Sequence, residues 1–164
     1  MKEKISTATG LDARVSSSSR QLRHLEKFIL YINRKSWWHV PPRDPRAYQK
    51  RGKFLASTFR EAEFYGRPDD NPERVVIASP LVGDNEAIER TLIGRVESNP
   101  KITVQKRFAL DAKLRRAALR KGFDSIVQLT PMGFHALKNK GKLPRSIELN
   151  VLDLRCLRSL RKQK

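Results

Sequence analysis

The sequence predicts an α+β fold with a mainly antiparallel sheet and flanking helices. One observation is the order of the hydrophobic patterns: helical periodicity, then short strand-like segments, then a second amphipathic helix, then further alternating segments. A second is the length of 164 residues, which fits a single core of ordinary size and shows no internal repeat. Hydrophobic residues make up 38% of the chain, enough to build that core.

The chain divides into an arm and one domain. Residues 1–19 are rich in Ser and Thr and carry few large apolar side chains, so we predict a flexible N-terminal arm there. Residues 20–164 are predicted to form a single domain. Its first element is an amphipathic helix, because apolar side chains recur at helical spacing at Leu22, Leu25, Phe28, Ile29 and Ile32.

Two strands and a helix are expected next. The bulky run Trp37–Val40 predicts a short strand that ends at two prolines, and Phe54–Ser57 predicts a second strand. Thr58 is expected to cap a following helix, since Glu61 lies three residues later, as in a capping box. The β-branched segment Arg74–Ala78 predicts a further strand.

The second half of the chain has the same mixture of patterns. We predict a helix over Glu86–Leu92, a strand over Ile102–Val104 and a long helix over Ala109–Lys121. Phe123–Leu129 and Ser146–Leu152 alternate between apolar and polar residues, which is typical of strands.

The charge of the chain is strongly positive. Lys and Arg number 35 against 17 Asp and Glu, which gives a net charge of +18. Such an excess favours an acidic macromolecule, either protein or nucleic acid, as the partner. The basic residues group around residues 43–53, 106–121 and 138–164.

Several classes of protein are disfavoured by the sequence. No apolar run approaches the roughly 20 residues needed to cross a bilayer, and the N-terminus lacks an apolar signal region. The single cysteine, Cys156, cannot form an internal disulfide, and the three histidines are not spaced as metal ligands. We therefore expect no membrane, no metal, and a reducing, cytoplasmic environment.

Three segments together resemble the ADP-ribosyltransferase superfamily. They are Trp38-His39-Val40, the strand-to-helix segment Gly52–Tyr65, and a late helix–Gly122–strand unit followed by Glu148-Leu149-Asn150-Val151-Leu152-Asp153. The resemblance covers roughly residues 36–160 and implies a split, mainly antiparallel sheet around an NAD cleft. It also implies a toxin or effector of bacterial or phage type, acting in the cytoplasm of its own cell or delivered into a host cell.

The resemblance assigns expected roles to individual residues. Glu148 and His39 match the family's catalytic positions, Glu148 as the carboxylate that stabilises positive charge on the reacting ribose. Binding of the cofactor NAD is expected of His39 again, and of Phe54, Ser57, Thr58 and Tyr65. The function implied is NAD-dependent modification of a macromolecular target.

Each of these residues also has a plainer interpretation. His39 equally fits a histidine at the edge of the core, Glu148 a solvated strand residue, and Ser57-Thr58 a helix start. A different function is also open: residues 130–144 resemble the recognition helix of some helix-turn-helix modules, and their basic flanks suit DNA. In that alternative the chain is a basic nucleic-acid-binding protein without catalytic activity.

Overall fold

The computed structural model describes residues 19–158 and has an α+β architecture. Six α-helices lie in this part of the chain: α1 (Ser19–Arg34), α2 (Ala47–Arg51), α3 (Phe59–Glu63), α4 (Asn85–Ile93), α5 (Val104–Arg120) and α6 (Pro131–Lys140). The strands are β1 (Lys53–Ala56), β2 (Arg74–Val75), β3 (Pro80–Gly83), β4 (Ser125–Gln128), β5 (Glu148–Val151) and β6 (Leu157–Arg158). The predicted arm lies outside the described residues, except for Ser19, which begins α1.

The strands form two sheets. The larger one has the order β1-β5-β4-β3, in which β5 runs antiparallel to both neighbours and β3 runs parallel to β4. The smaller one pairs β2 with β6 in antiparallel orientation. The α+β class is therefore confirmed, with one parallel pair in an otherwise antiparallel arrangement.

The larger sheet separates two apolar clusters, because alternate side chains of a strand point to opposite faces. On one face, Val127 and Leu149 pack with Phe28 of α1 and Leu137 of α6. On the other, Ile126 packs with side chains of α4 and α5, which are Ile88, Leu92, Leu110, Leu114, Ala117 and Ala118. The helices thus cover an apolar cluster on each face of the sheet.

Most of the predicted elements are confirmed. Helix α1 buries the predicted stripe at Leu25, Phe28 and Ile32. Thr58 caps α3 as the spacing suggested, since its hydroxyl accepts a hydrogen bond from Glu61 N at 3.1 Å. Helices α4 and α5 and strands β1, β4 and β5 also lie within or around their predicted segments.

The predicted strand at Ile102–Val104 is wrong. Thr103 is instead the N-cap of α5: its hydroxyl accepts a hydrogen bond from Lys106 N at 3.2 Å, and the helix begins at Val104. The β-branched residues favoured a strand locally, but the capping bond and the packing of the whole helix outweigh that propensity.

Two other predicted strands are shorter in the structure. Trp37 and Trp38 form isolated bridges to Glu73 and Ala56, so each tryptophan bonds a different segment and no continuous ladder develops. In Arg74–Ala78 only the first two residues form β2, because Ile77 turns to the side chain of Asn33, which bonds both its N–H and its carbonyl. No helix between residues 19 and 158 is long and apolar enough to cross a membrane.

Candidate active site

A cleft of about 1120 Å³ opens at the end of the larger sheet where β1 and β4 finish and β5 begins. Glu148 lies at this end, paired with Ala56 on one side and Gln128 on the other. Helix α5, helix α2 and the segment around Tyr65 enclose the strand ends. Among the residues that the resemblance singled out, Glu148, His39, Phe54 and Tyr65 line this cleft.

One side of the cleft carries ionisable groups. Tyr65 Oη donates a hydrogen bond to Glu148 Oε2 over 3.0 Å, which holds the carboxylate in one orientation. Tyr65 is largely exposed, but partial desolvation in the cleft, followed by the charge of Glu148, raises its pKa to about 12. The phenol therefore stays protonated at neutral pH and remains a donor to Glu148.

A second carboxylate, Asp111 of α5, lies on the same side. It is 7% exposed, and its Oδ1 lies 3.2 Å from Arg107 Nε one helical turn earlier. Burial raises the pKa of Asp111 to about 6, against the attraction of Arg107, and the charge of Glu148 adds to the rise. We call Glu148, Tyr65, Asp111 and Arg107 the charged wall.

Another part of the cleft lining is built from neutral groups. His39 is 4% exposed and uses both ring nitrogens: Nδ1 lies 2.8 Å from Phe54 O, and Nε2 lies 2.8 Å from Tyr48 Oη. A carbonyl can only accept, so Nδ1 carries the ring proton. Burial lowers the pKa of His39, despite the hydrogen bond to Phe54 that raises it, and the ring is neutral near pH 7. We call His39, Tyr48 and Phe54 the neutral wall.

Helix α2, which carries Tyr48, is held to the sheet at Gly52. Asn150 Nδ2 donates to Arg51 O over 2.9 Å, and Gly52 N donates to Tyr48 O over 3.0 Å. Gly52 has φ +88° and ψ −174°, and a Cβ there would lie 2.2 Å from Asn150 Oδ1. Only glycine allows this approach of α2 to β5.

Positively charged side chains line the outer part of the cleft. Arg43 and Lys50 are exposed, and the guanidinium of Arg51 lies over the ring of Phe108, 3.7 Å from its centroid. Arg107 already faces Asp111. Arg43 and Lys50 are therefore the exposed cations among the described residues that line the cleft.

Ser57 and Thr58 do not line the cleft. Ser57 is 3% exposed and its hydroxyl donates to Glu61, whereas Thr58 caps α3. Both side chains therefore bond to the first turn of α3, as expected of a helix start, and do not face the cleft.

Tyr48, Asp111 and Arg107 were not among the catalytic and cofactor-binding residues that the resemblance implied. Asp111 was the only acidic residue in a basic amphipathic helix, and that anomaly was the available signal. The hydrogen bond between Tyr48 and His39 crosses a loop, so no local sequence pattern predicted it.

The segment resembling a recognition helix forms α6, capped by the Thr130 hydroxyl and ended by Gly141. Strand β4, rather than a helix, precedes it, so the two-helix arrangement of a helix-turn-helix motif is not built here. Its inner side packs against α1, where His24 Nδ1 lies 3.1 Å from Lys138 O.

No family model, curated protein or solved structure matches this chain. Within residues 19–158, no group of three or more His, Cys, Asp or Glu side chains is placed to hold a metal ion.

Proposed function

We propose that the chain is an NAD-dependent ADP-ribosyltransferase-like enzyme that modifies a macromolecular target. The observation that carries the proposal is that His39, Phe54, Tyr65 and Glu148, drawn from separate segments, line one cleft, with the carboxylate of Glu148 at the strand ends. Its volume of about 1120 Å³ suits a ligand as large as a dinucleotide, given that small-molecule sites typically span roughly 300–1,000 Å³.

The chemistry of the charged wall suits this reaction. Breaking the bond between nicotinamide and ribose leaves positive charge on the sugar, which a fixed carboxylate stabilises. Glu148, oriented by Tyr65, supplies that carboxylate. The acceptor then bonds to the same ribose carbon, nicotinamide leaves, and the acceptor gives up one proton.

The outer part of the cleft suits the diphosphate of NAD. Arg43 and Lys50 offer charged donors to its oxygens, and charge-assisted hydrogen bonds of this kind are the stronger ones. The net charge of +18 favours an acidic acceptor macromolecule, either protein or nucleic acid. We place the activity in the cytoplasm of the producing cell or of a host cell into which the protein is delivered, as a toxin or effector would be.

The test is transfer of label from NAD in a cell lysate, comparing the wild type with Glu148→Gln. The variant keeps the size of the side chain and removes its charge, so transfer should fall by about 10²–10³-fold, the range seen when one stabilising group is lost. Glu26→Gln, an exposed carboxylate on α1 outside the cleft, is the matched control and should keep full activity. Protease and nuclease digestion of the product shows which macromolecule is labelled.

The alternative is binding of nucleic acid without catalysis, which exposed basic side chains at the end of α5 favour: Arg116, Arg120 and Lys121. In that case the wild type releases no nicotinamide, yet binds DNA or RNA with an affinity that falls steeply with salt. Glu148→Gln should then leave binding unchanged. This combination of results would replace the enzyme proposal.

A further inference from the structure

The hydrogen bonds of the neutral wall fix the direction of each proton. Phe54 O accepts from His39 Nδ1, which leaves Nε2 with a lone pair and no proton. Nε2 must therefore accept from the Tyr48 hydroxyl at 2.8 Å. The only proton of that hydroxyl is committed to His39, so any further partner of Tyr48 Oη has to be a donor.

Tyr48 remains accessible to a ligand. It is half-buried and lines the cleft, whereas His39, which also lines it, is almost completely buried. Among residues 19–158, His39 is the only hydrogen-bond partner found for Tyr48 Oη. Both ring nitrogens of His39, which the sequence suggested as a ligand contact, are thus already hydrogen-bonded, and Tyr48 is the more exposed of the two lining residues.

We propose that Tyr48 Oη is the acceptor with which the cleft recognises a hydroxyl group of its ligand, and that His39 is the positioning residue that gives Tyr48 this role. The inference rests on the proposed function in one respect, which is that the ligand is NAD and the hydroxyl belongs to one of its riboses. An acceptor fixed in this way favours a sugar hydroxyl over a phosphate oxygen, because a phosphate oxygen brings no proton to the contact.

The surroundings of His39 keep this arrangement in place at neutral pH. Lys53, whose ammonium lies 5.5 Å from the centroid of the Tyr48 ring, opposes protonation of His39, whereas Glu73 and Asp69 favour it. Lys53 is itself paired with Glu73 at 2.6 Å, which offsets much of their separate influence. Once His39 is protonated in acid, Nε2 donates to Tyr48, the tyrosine proton turns elsewhere, and the acceptor is lost.

The experiment measures NAD binding by calorimetry at pH 8. Tyr48→Phe should weaken binding about 5-fold, within the range expected for one neutral hydrogen bond of about 0.5–1.5 kcal/mol. Tyr31→Phe, on α1 and outside the cleft, is the matched control and should bind NAD as the wild type does. Among NAD analogues that lack one ribose hydroxyl, one should bind the wild type as weakly as NAD binds Tyr48→Phe.

Variants of His39 test its positioning role. His39→Leu removes the acceptor for Tyr48 and should weaken NAD binding as much as Tyr48→Phe does, and the double variant should be no weaker than either one. His39→Gln keeps an acceptor near Nε2 and should restore binding to within about 2-fold of the wild type. Glutamine does not titrate, so the loss of NAD affinity in acid should be smaller in His39→Gln than in the wild type. Any effect of Asp111 on this loss is common to both proteins.

The outcomes separate the two proposals. If the wild type binds no NAD, the proposed function and this inference both fail. If the wild type binds NAD and Tyr48→Phe binds it equally well, only the inference fails. If His39→Gln binds as weakly as His39→Leu in proteins with unchanged circular dichroism, the positioning role of His39 is wrong.

Discussion

The two walls of the cleft use polar side chains in opposite ways. In the neutral wall, His39, Tyr48 and Phe54 satisfy one another and carry no charge near pH 7. In the charged wall, Glu148 and Asp111 lie close enough for the charge of one to raise the pKa of the other. This contrast fits the proposed function, in which the neutral wall orients the ligand and the charged wall stabilises charge that develops on it.

The origin of each wall explains this contrast. The neutral wall is drawn from a short stretch, residues 39–54, in which a carbonyl, an imidazole and a phenol satisfy one another. The charged wall joins α5 to the start of β5 and the end of α3, so its groups are brought together only by the tertiary fold. A carboxylate such as Asp111 can therefore stay buried there although its hydrogen bonds and ion pairs do not fully offset the loss of water, because the surrounding helix and sheet hold it in place.

Gly52→Ala should have the largest effect, because it disrupts the attachment of the neutral wall to the sheet. The conformation at Gly52 is open to glycine alone, and the new Cβ would lie 2.2 Å from Asn150 Oδ1 and 2.8 Å from Val151 O. Backbone strain and overpacking each cost about 1–3 kcal/mol, so the free energy of unfolding should fall by about 2–6 kcal/mol. Urea unfolding followed by fluorescence measures the change.

Gly94→Ala is the matched control for that substitution. Gly94, at the end of α4, also has a positive φ, +74°, but no atom of the described residues lies within 4 Å of the position that a Cβ would take there. The free energy of unfolding of Gly94→Ala should fall by only about 1 kcal/mol, which is the cost of placing alanine in the left-handed backbone conformation. Equal losses in the two variants would show that the close approach to β5 does not constrain α2.

Asp111→Asn should raise the free energy of unfolding of the protein at neutral and alkaline pH. The pKa of Asp111 is about 6 in the fold against 3.8 for the free side chain, so folding disfavours its charged form. The stability that Asp111 contributes is complete below about pH 4 and is lost as the pH rises through 6. The asparagine of the variant stays neutral at every pH. The free energy of unfolding of the variant, relative to the wild type, should therefore rise by up to roughly 3 kcal/mol between pH 4 and pH 8.

Thermal unfolding of both proteins across this pH range checks the sign. The gain should be largest at pH 8 and smallest at pH 4, and part of it should disappear in a Glu148→Gln background, where one cause of the raised pKa is removed. Asp70→Asn, at an exposed position before β2, is the control and should keep the stability of the wild type. A gain that shrinks as the pH rises would contradict the burial of a charged Asp111.

The sequence predicted the elements that are decided by local pattern. The stripe of α1 and the cap at Thr58 depend on residues within a few positions of each other, and the structure confirms both. The predicted strand at Ile102–Val104 failed because a β-branched run is ambiguous until the capping bond of Thr103 and the burial of the helix are known. Strand length at Trp37–Val40 failed for a similar reason, since the partners of each tryptophan are distant in sequence.

The candidate site divides in the same way. His39 and Glu148 could be singled out because a resemblance in the order of motifs carries information about distant positions, and the structure places both in one cleft. The resemblance did not predict which groups hydrogen-bond to the His39 ring. These partners, Phe54 O and Tyr48 Oη, are known only from the structure. Asp111 is similar, because its raised pKa results from burial between elements that are far apart in sequence.

Tyr65→Phe should have the smallest effect. Within the charged wall, it separates the orientation of the Glu148 carboxylate from its charge. It removes the 3.0 Å hydrogen bond to Glu148 and keeps the ring that packs edge-on against Phe64. Because Tyr65 is 65% exposed, water replaces much of what is lost, and we expect a cost of about 1 kcal/mol in the transition state, or roughly 5-fold in kcat. The Michaelis constant for NAD should stay unchanged, since Glu148 keeps its charge and only its orientation is loosened. Steady-state release of nicotinamide separates the two constants, and a rise in KM at constant kcat would show instead that Tyr65 binds NAD directly.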